Sequence, residues 1–128
     1  MVVAVVDDEP ALRWSLERVL RAAGYGVRTF ADGADFVDSL RSASPACVLL
    51  DLEMPGMGGL EVLSHLARQP IRVPAIVVTG RDTQQSRRRA AELGAAFVTK
   101  PVDVADLLAA IAAAIGGAGG EGASEATG

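Results

Sequence analysis

The chain has 128 residues, half of them hydrophobic, and a formal net charge of -4. A chain of this size can bury one substantial core but not two, so we expect a single domain. The negative charge argues against direct nucleic-acid binding, since contact with phosphate requires a basic surface. No stretch approaches the roughly 20 apolar residues of a membrane span, and two aspartates occur by residue 8, so neither export nor membrane insertion is expected.

The first predicted elements are strands. Four short, valine-rich apolar runs are typical of strands buried on both faces, as in a parallel sheet. They are VVAVV at 2–6, ACVLL at 46–50, AIVV at 75–78 and AAFV at 95–98. A fifth run, GVRTF at 26–30, alternates and includes a charged arginine, which predicts a strand at an edge of the sheet.

A helical pattern of apolar residues follows each of these strands. Strict alternation of strand and helix with right-handed crossovers predicts an α/β, doubly wound, five-stranded parallel sheet of the flavodoxin-like type, in the order 2-1-3-4-5. Ligands of such sheets bind above the carboxyl ends of the strands. The predicted helices cover residues 12–23, 36–40, 60–67, 84–94 and 103–115.

The C-terminal segment has a different composition. From Gly116 onward the sequence contains only Gly, Ala, Ser, Thr and Glu, without a large apolar residue. Such a segment has nothing to bury in a core. We therefore expect a domain over residues 1–115, followed by a flexible tail or the remnant of a linker over residues 116–128.

The single cysteine, Cys47, cannot form an internal disulfide and lies within an apolar run. A free cysteine in such a run most often behaves as a small buried hydrophobic side chain. This pattern indicates a protein of the reducing cytoplasm.

Acidic residues gather where the first and third strands should end. Asp7, Asp8 and Glu9 follow the first strand, and Asp51 and Glu53 follow the third. Carboxylates that share one crevice repel one another unless a cation joins them. Oxygen ligands with room for water suit Mg²⁺, which Mn²⁺ could replace. The sequence contains no cluster of histidine and cysteine residues that would indicate zinc.

A hydroxyl group and an amine lie at the ends of the other two apolar runs. Thr79 closes the fourth strand, and Lys100 follows the fifth strand immediately before Pro101. An ammonium group can neutralise charge on a phosphoryl group while a hydroxyl donates a hydrogen bond to it. Asp51, which lies between them, is the candidate nucleophile, and its product would be an aspartyl phosphate.

The motifs VVDDEP, LLDLEMPGMGGLEVL, VVTG and FVTKP, in this order and spacing, resemble the receiver domain of two-component response regulators. The resemblance covers residues 2–115. It implies a signalling domain rather than a turnover enzyme, with only self-limited autophosphorylation and autodephosphorylation. A sensor histidine kinase, a phosphotransfer protein or a small phosphodonor would supply the phosphoryl group.

The resemblance also implies roles for individual residues. Asp51 would be the phosphoacceptor, Lys100 and Thr79 would stabilise the phosphoryl group, and Thr79 and Phe97 would form the switch. The Lys100–Pro101 bond would be cis. The implied metal ligands are Asp7, Asp8, Asp51 and the backbone carbonyl of Glu53.

Two surface features have a functional and a plain interpretation. Glu53 and Arg81 occupy positions that tune dephosphorylation in the family, either as an ion pair over the site or as two solvated side chains. Trp14, Arg18 and Arg21 follow a helical i, i+4, i+7 spacing away from the core stripe. The resemblance makes them a kinase-docking stripe; the alternative is a tryptophan folded onto its own surface.

The fourth helix carries the run Arg87–Arg89 above a thin alanine stripe. Little burial holds such a helix to the sheet, so we expect mobility there. The arginine run itself is interpreted as a solvated face.

Three functions remain open. The chain is either a complete single-domain regulator or a receiver cut from a longer, multi-domain transcriptional regulator. In both cases the surface of the fourth helix, fifth strand and fifth helix would be remodelled, and it would bind a target protein, a linked effector or a second copy. The third alternative is an aspartate-nucleophile phosphohydrolase of the haloacid-dehalogenase type. Its DxDxT signature is absent, since Leu52, Glu53 and Met54 follow Asp51, and no segment is long enough for a substrate cap.

Overall fold

The protein folds around a single parallel sheet. The structure, a computed structural model, describes residues 1–54, 56–80 and 82–119. The strands are β1 (Val2–Val6), β2 (Gly26–Phe30), β3 (Cys47–Leu50), β4 (Ala75–Thr79) and β5 (Ala96–Thr99). They pair in the order β2-β1-β3-β4-β5, all parallel, which confirms the predicted fold class and the position of β2 at an edge.

A helix follows every strand, as the sequence pattern predicts. Within the described part of the chain, none of these helices is both long and apolar enough to cross a membrane. The helices are α1 (Pro10–Ala22), α2 (Gly33–Ser39), α3 (Gly59–Ala67), α4 (Gln84–Glu92) and α5 (Val104–Gly119).

Local chemistry fixes several helix ends. Pro10 occupies the first position of α1, where proline is favoured because its missing N–H would have no helical partner. The Asp32 side chain caps α2 by accepting from the Asp35 N–H at 2.8 Å. Helix α4 ends in a tight turn at Gly94, whose φ of 81° favours glycine, so only one short turn leads into β5.

Helix α5 is longer than predicted. It runs to Gly119, four residues past the expected end at 115. Glycine lowers helix propensity by about 1 kcal/mol per residue but does not block a helix as proline does, and no proline follows Pro101. The remainder of the predicted tail, residues 120–128, lies outside the described residues.

Each face of the sheet carries its own hydrophobic core. Side chains of α2, α3 and α4 cover one face and include the fully buried Phe36 and Val62. Side chains of α1 and α5 cover the other and include Leu20 and Ile111. Cys47 belongs to this second core as predicted, and burial raises the pKa of its thiol to about 12. With both faces covered, polar groups concentrate at the strand ends.

Candidate functional site

Backbone hydrogen bonds bring the predicted site residues to one edge of the sheet. The Asp51 N–H donates to the Val6 carbonyl at 3.1 Å, and the Lys100 N–H donates to the Thr79 carbonyl at 2.8 Å. The Asp7 N–H donates to the Phe30 carbonyl at 3.1 Å. The parallel ladder thus continues one residue past β1, β3 and β5, which orders the backbone of the residues that carry the chemistry.

Three carboxylates converge at this edge. Asp7, Asp8 and Asp51 each offer an oxygen, and these oxygens lie within 4.8 Å of one another. Asp7 and Asp51 are buried, with 3% and 7% of their surface exposed, whereas Asp8 is exposed. The cluster is therefore open to solvent on the side of Asp8.

Lys100 bridges the two buried carboxylates. Its Nζ lies 3.4 Å from Asp7 Oδ2 and 3.3 Å from Asp51 Oδ2. Partial burial by itself would lower the pKa of Lys100, but the charges of Asp7 and Asp51 outweigh it and raise that pKa. The ammonium group is therefore held in its charged form between the carboxylates.

One ammonium does not satisfy the whole cluster. Burial raises the pKa of Asp7; the Glu9 N–H and Lys100 oppose this rise, and the charge of Asp51 adds to it. Among the described residues, Lys100 is the cation whose side chain pairs with these carboxylates, and the exposed Asp8 leaves a path for a hydrated ion. Hard carboxylate oxygens with access to water fit Mg²⁺ and Mn²⁺. The predicted ligands Asp7, Asp8 and Asp51 are brought together.

The turn after β3 fits closely around Asp51. The Asp51 Oδ1 accepts from the Glu53 N–H at 3.2 Å. A Cβ on Gly59 would lie 2.4 Å from the Asp51 carbonyl oxygen, so only glycine allows α3 to begin this close to the acceptor. Gly56 has a φ of 73°, a conformation that favours glycine. The two glycines therefore shape this turn.

The remaining predicted residues of the site lie along β4 and β5. Thr79 is fully buried at the end of β4. Phe97 is half-buried and packs against the core beneath α2, α3 and α4. The Lys100–Pro101 bond is cis, as predicted. The structure thus places the hydroxyl and the aromatic ring on two neighbouring strands, with the amine of Lys100 directly after the second of them.

The predicted stripe on α1 is only partly a free surface. Trp14 is 60% exposed, and the Arg18 guanidinium lies over its ring at 4.7 Å from the centroid. Arg21 instead pairs with Glu17 at 3.0 Å and donates to the Val27 carbonyl of β2 at 3.1 Å. Trp14 and Arg18 form one exposed unit, whereas the Arg21 side chain is engaged in contacts within the domain.

Of the two predicted tuning residues, Glu53 is exposed beside the acceptor. Arg81 lies outside the described residues.

Sequence reasoning missed two arginines. Arg13 Nη1 donates to the Asp7 backbone carbonyl at 2.6 Å, which ties α1 to the end of β1. Arg87 was interpreted as part of a solvated face, but it pairs with Asp82 and stacks on Phe97. Helical spacing could have predicted that Arg87 lies on the β5 side of α4. It could not have identified the partners of Arg87, because they belong to other segments of the chain.

Comparisons with known proteins agree with this geometry. The family model for the response regulator receiver domain matches residues 3–112. The chain is 36% identical over 115 residues to the DNA-binding transcriptional regulator NtrC of Escherichia coli K12, covering 89% of this chain and 24% of NtrC. It is 38% identical over 114 residues to the transcriptional regulatory protein FixJ of Bradyrhizobium diazoefficiens, covering 88% of this chain and 56% of FixJ. The chain thus spans only about a quarter and just over half of these relatives.

Solved structures show the same likeness. The chemotaxis protein CheY4 of Vibrio cholerae superposes with a TM-score of 0.82 at 26% identity, covering 88% of this chain and 97% of CheY4. A CheY-like receiver domain protein of Methanospirillum hungatei JF-1 superposes with a TM-score of 0.87 at 26% identity, covering 94% and 97% of the two chains.

Proposed function

Since the chain belongs to the response regulator receiver domain family, we propose that it is a phosphorylation switch that accepts a phosphoryl group on Asp51. The observation that carries the proposal is the Lys100 ammonium, which lies 3.3 Å from the Asp51 carboxylate and 3.4 Å from Asp7. A nucleophile paired with a cation, beside an acidic cluster open to solvent, can bind and react with a phosphoryl group.

In the proposed reaction an Asp51 carboxylate oxygen attacks the phosphorus of the donor. The bond from phosphorus to the donor's imidazole nitrogen or acyl oxygen breaks, and its electron pair leaves with the donor. Lys100 neutralises charge on the transferred group, and Thr79 donates a hydrogen bond to it. The Glu53 N–H, 3.2 Å from Asp51 Oδ1, keeps the carboxylate in position.

Asp7, Asp8, Asp51 and the backbone carbonyl of Glu53 would hold Mg²⁺, or Mn²⁺ in its place. The cation, when bound, supplies positive charge to the phosphoryl oxygens. The gathering of the three carboxylates, whose oxygens lie within 4.8 Å of one another, supports this assignment. Asp8 is exposed, so a hydrated ion can reach its carboxylate directly from solvent.

We assign the output to the surface of α4, β5 and α5. Thr79 and Phe97 lie on adjacent strands and face the α4 side of the sheet. A displacement of the Thr79 hydroxyl can therefore alter the position of the Phe97 ring. Phosphorylation would favour one of two arrangements of this surface. The remodelled surface would bind a target protein, a linked effector domain or a second copy of the chain.

For the input, a histidine kinase or phosphotransfer protein would dock on Trp14 and Arg18, which form an exposed unit on α1. Arg21 would act indirectly by fixing α1 to β2. Trp14→Ala and Arg18→Ala should slow transfer from the kinase but leave phosphorylation by acetyl phosphate unchanged. Equal kinase-dependent rates in wild type and both variants would contradict docking at this unit.

Glu53 and Arg81 would set how quickly water reaches the aspartyl phosphate. The exposure of Glu53 beside Asp51 supports its part in this role. Arg81→Ala should change the rate of dephosphorylation, and an unchanged rate would contradict the tuning role of Arg81.

The names of NtrC and FixJ support a linked effector, since both are described as transcriptional regulators. We therefore propose that this receiver controls a partner domain or protein that contacts DNA, while the receiver itself does not.

The direct test is the intact mass after incubation with Mg²⁺ and acetyl phosphate. Wild type should gain the mass of one phosphoryl group, and Asp51→Asn should gain none. Asp35→Asn removes an exposed carboxylate on α2 and should behave as wild type. A gain in Asp51→Asn equal to that of wild type, or no gain in wild type, would overturn the assignment.

A further inference from the structure

A second polar cluster lies on the face of α4 and β5. The Arg87 guanidinium binds both carboxylate oxygens of Asp82, through Nε to Oδ1 and through Nη2 to Oδ2, the latter at 3.0 Å. Its Nη2 also donates to Thr99 Oγ1 at 3.2 Å, and that hydroxyl donates to Asp82 Oδ2 at 3.3 Å. Three side chains from three segments are thus joined in one ring of hydrogen bonds.

The same guanidinium stacks on Phe97. Its central carbon lies 4.6 Å from the centroid of the ring, within the range of a cation–π contact. We call Asp82, Arg87, Phe97 and Thr99 the Arg87 clamp. Asp82 lies three residues after Thr79, and Thr99 immediately precedes Lys100, so the clamp contacts the segments that leave the site on both strands.

The contacts of the clamp reinforce one another. Both charged side chains are well exposed, at 52% for Arg87 and 37% for Asp82, and an isolated exposed pair contributes little. Here, however, the planar guanidinium is held by two carboxylate oxygens, a hydroxyl and an aromatic face at once, which restricts it to one orientation. In agreement, the Arg87 hydrogen bond lowers the pKa of Asp82, and Asp82 raises the pKa of Arg87.

We propose that the Arg87 clamp is an intramolecular latch that holds Phe97 and Asp82 in the unphosphorylated arrangement, with Arg87 as its positioning residue. The inference rests on the proposed phosphorylation switch. A shift of the Phe97 ring removes the stack, and a shift of the segment after Thr79 moves Asp82 away from Arg87. Either displacement breaks the ring of hydrogen bonds.

The latch therefore sets the balance between the two arrangements. Contacts made in only one state favour that state by their full free energy, and this reduces the fraction of protein ready to bind a phosphoryl group tightly. Opening the latch must therefore increase the affinity for a phosphoryl analogue by the factor by which the closed latch reduces it. Because the cluster is exposed, we expect a factor of about threefold to fivefold.

The experiment measures the affinity of the Mg²⁺-loaded protein for beryllium fluoride, a phosphoryl analogue. Arg87→Ala and Asp82→Ala should each bind it about threefold to fivefold more tightly than wild type. The double variant should bind no more tightly than either single variant, since each substitution opens the same latch. Arg88→Ala removes the neighbouring exposed arginine and should match wild type.

A second readout separates a latch from a purely structural contact. Fluorine NMR of protein containing 4-fluorophenylalanine reports on its three phenylalanines, and Phe97→Leu identifies the resonance of Phe97. Without any phosphoryl analogue, opening the latch should move that resonance toward its position in the beryllium fluoride complex of wild type. Arg87→Lys keeps the charge but loses the planar fork, and should move it in the same direction.

The failures are distinguishable. If wild type neither binds beryllium fluoride nor gains mass with acetyl phosphate, the proposed function is wrong. If wild type does both, but Arg87→Ala and Asp82→Ala match its affinity, the latch is wrong. An equal gain in affinity for Arg88→Ala would also contradict it, because that effect would follow from lost positive charge on α4 alone.

Discussion

Replacing Lys100 with methionine tests the electrostatics of the site. Methionine fills a similar volume but leaves Asp7 and Asp51 without the ammonium that lies 3.4 and 3.3 Å away. Removing one partner of a fully buried ion pair costs about 3–5 kcal/mol. Because 23% of the Lys100 side chain is exposed, water reduces this cost, and we expect the metal-free variant to lose roughly 1–3 kcal/mol of unfolding free energy.

The loss should depend on pH. The pKa of Asp7 is already raised by burial, and removing Lys100 raises it further. The folded state then binds the Asp7 proton more tightly than the unfolded chain does, so this contribution to stability is present at acid pH and is lost as pH rises through the folded pKa. The gap between wild type and Lys100→Met should therefore widen from acid to neutral pH.

Added Mg²⁺ should offset the loss of unfolding free energy in Lys100→Met. With the competing ammonium gone, the carboxylates should bind the cation more tightly, on the order of tenfold. Urea unfolding with and without Mg²⁺ measures both effects, and Arg41→Met, which removes an exposed cation elsewhere, is the control. Weaker Mg²⁺ stabilisation in Lys100→Met than in wild type would refute this account of the charges.

Three further predictions concern the fold. Gly59→Ala forces a Cβ to within 2.4 Å of the Asp51 carbonyl and should cost about 1–3 kcal/mol of unfolding free energy in urea. Gly116→Ala should instead stabilise the protein by about 0.5–1 kcal/mol in the same assay, because residue 116 lies inside α5; no change would restore the predicted tail. The Cys47 thiol, with a pKa of about 12, should react with a thiol reagent only after denaturation, and rapid labelling of the native protein would contradict its burial.

Much of the site could be predicted because a parallel sheet gathers its carboxyl ends. Each short valine-rich run ends in a polar residue, so finding the strands also located Asp7, Asp51 and Thr79. The alternating run with Arg28 indicated the edge strand, and the order of the remaining strands followed from the topology.

The contacts of Arg13 and Arg87 could not be predicted in the same way. Arg13 binds a backbone carbonyl, a partner that every residue offers, and Arg87 depends on how α4 lies against β5. In the run Arg87–Arg89 composition alone cannot distinguish the arginine that packs from those that face solvent. The end of α5 was misplaced because glycine weakens a helix without ending it.

The central claim is that Asp51, and no neighbouring carboxylate, receives the phosphoryl group. After reaction with acetyl phosphate and Mg²⁺, hydroxylamine converts an acyl phosphate into a hydroxamate, which peptide mass spectrometry can assign to a residue. We expect a hydroxamate on Asp51 alone. A hydroxamate on Asp7 or Asp8 with Asp51 unmodified would contradict this claim, because the nucleophile would then follow β1 rather than β3.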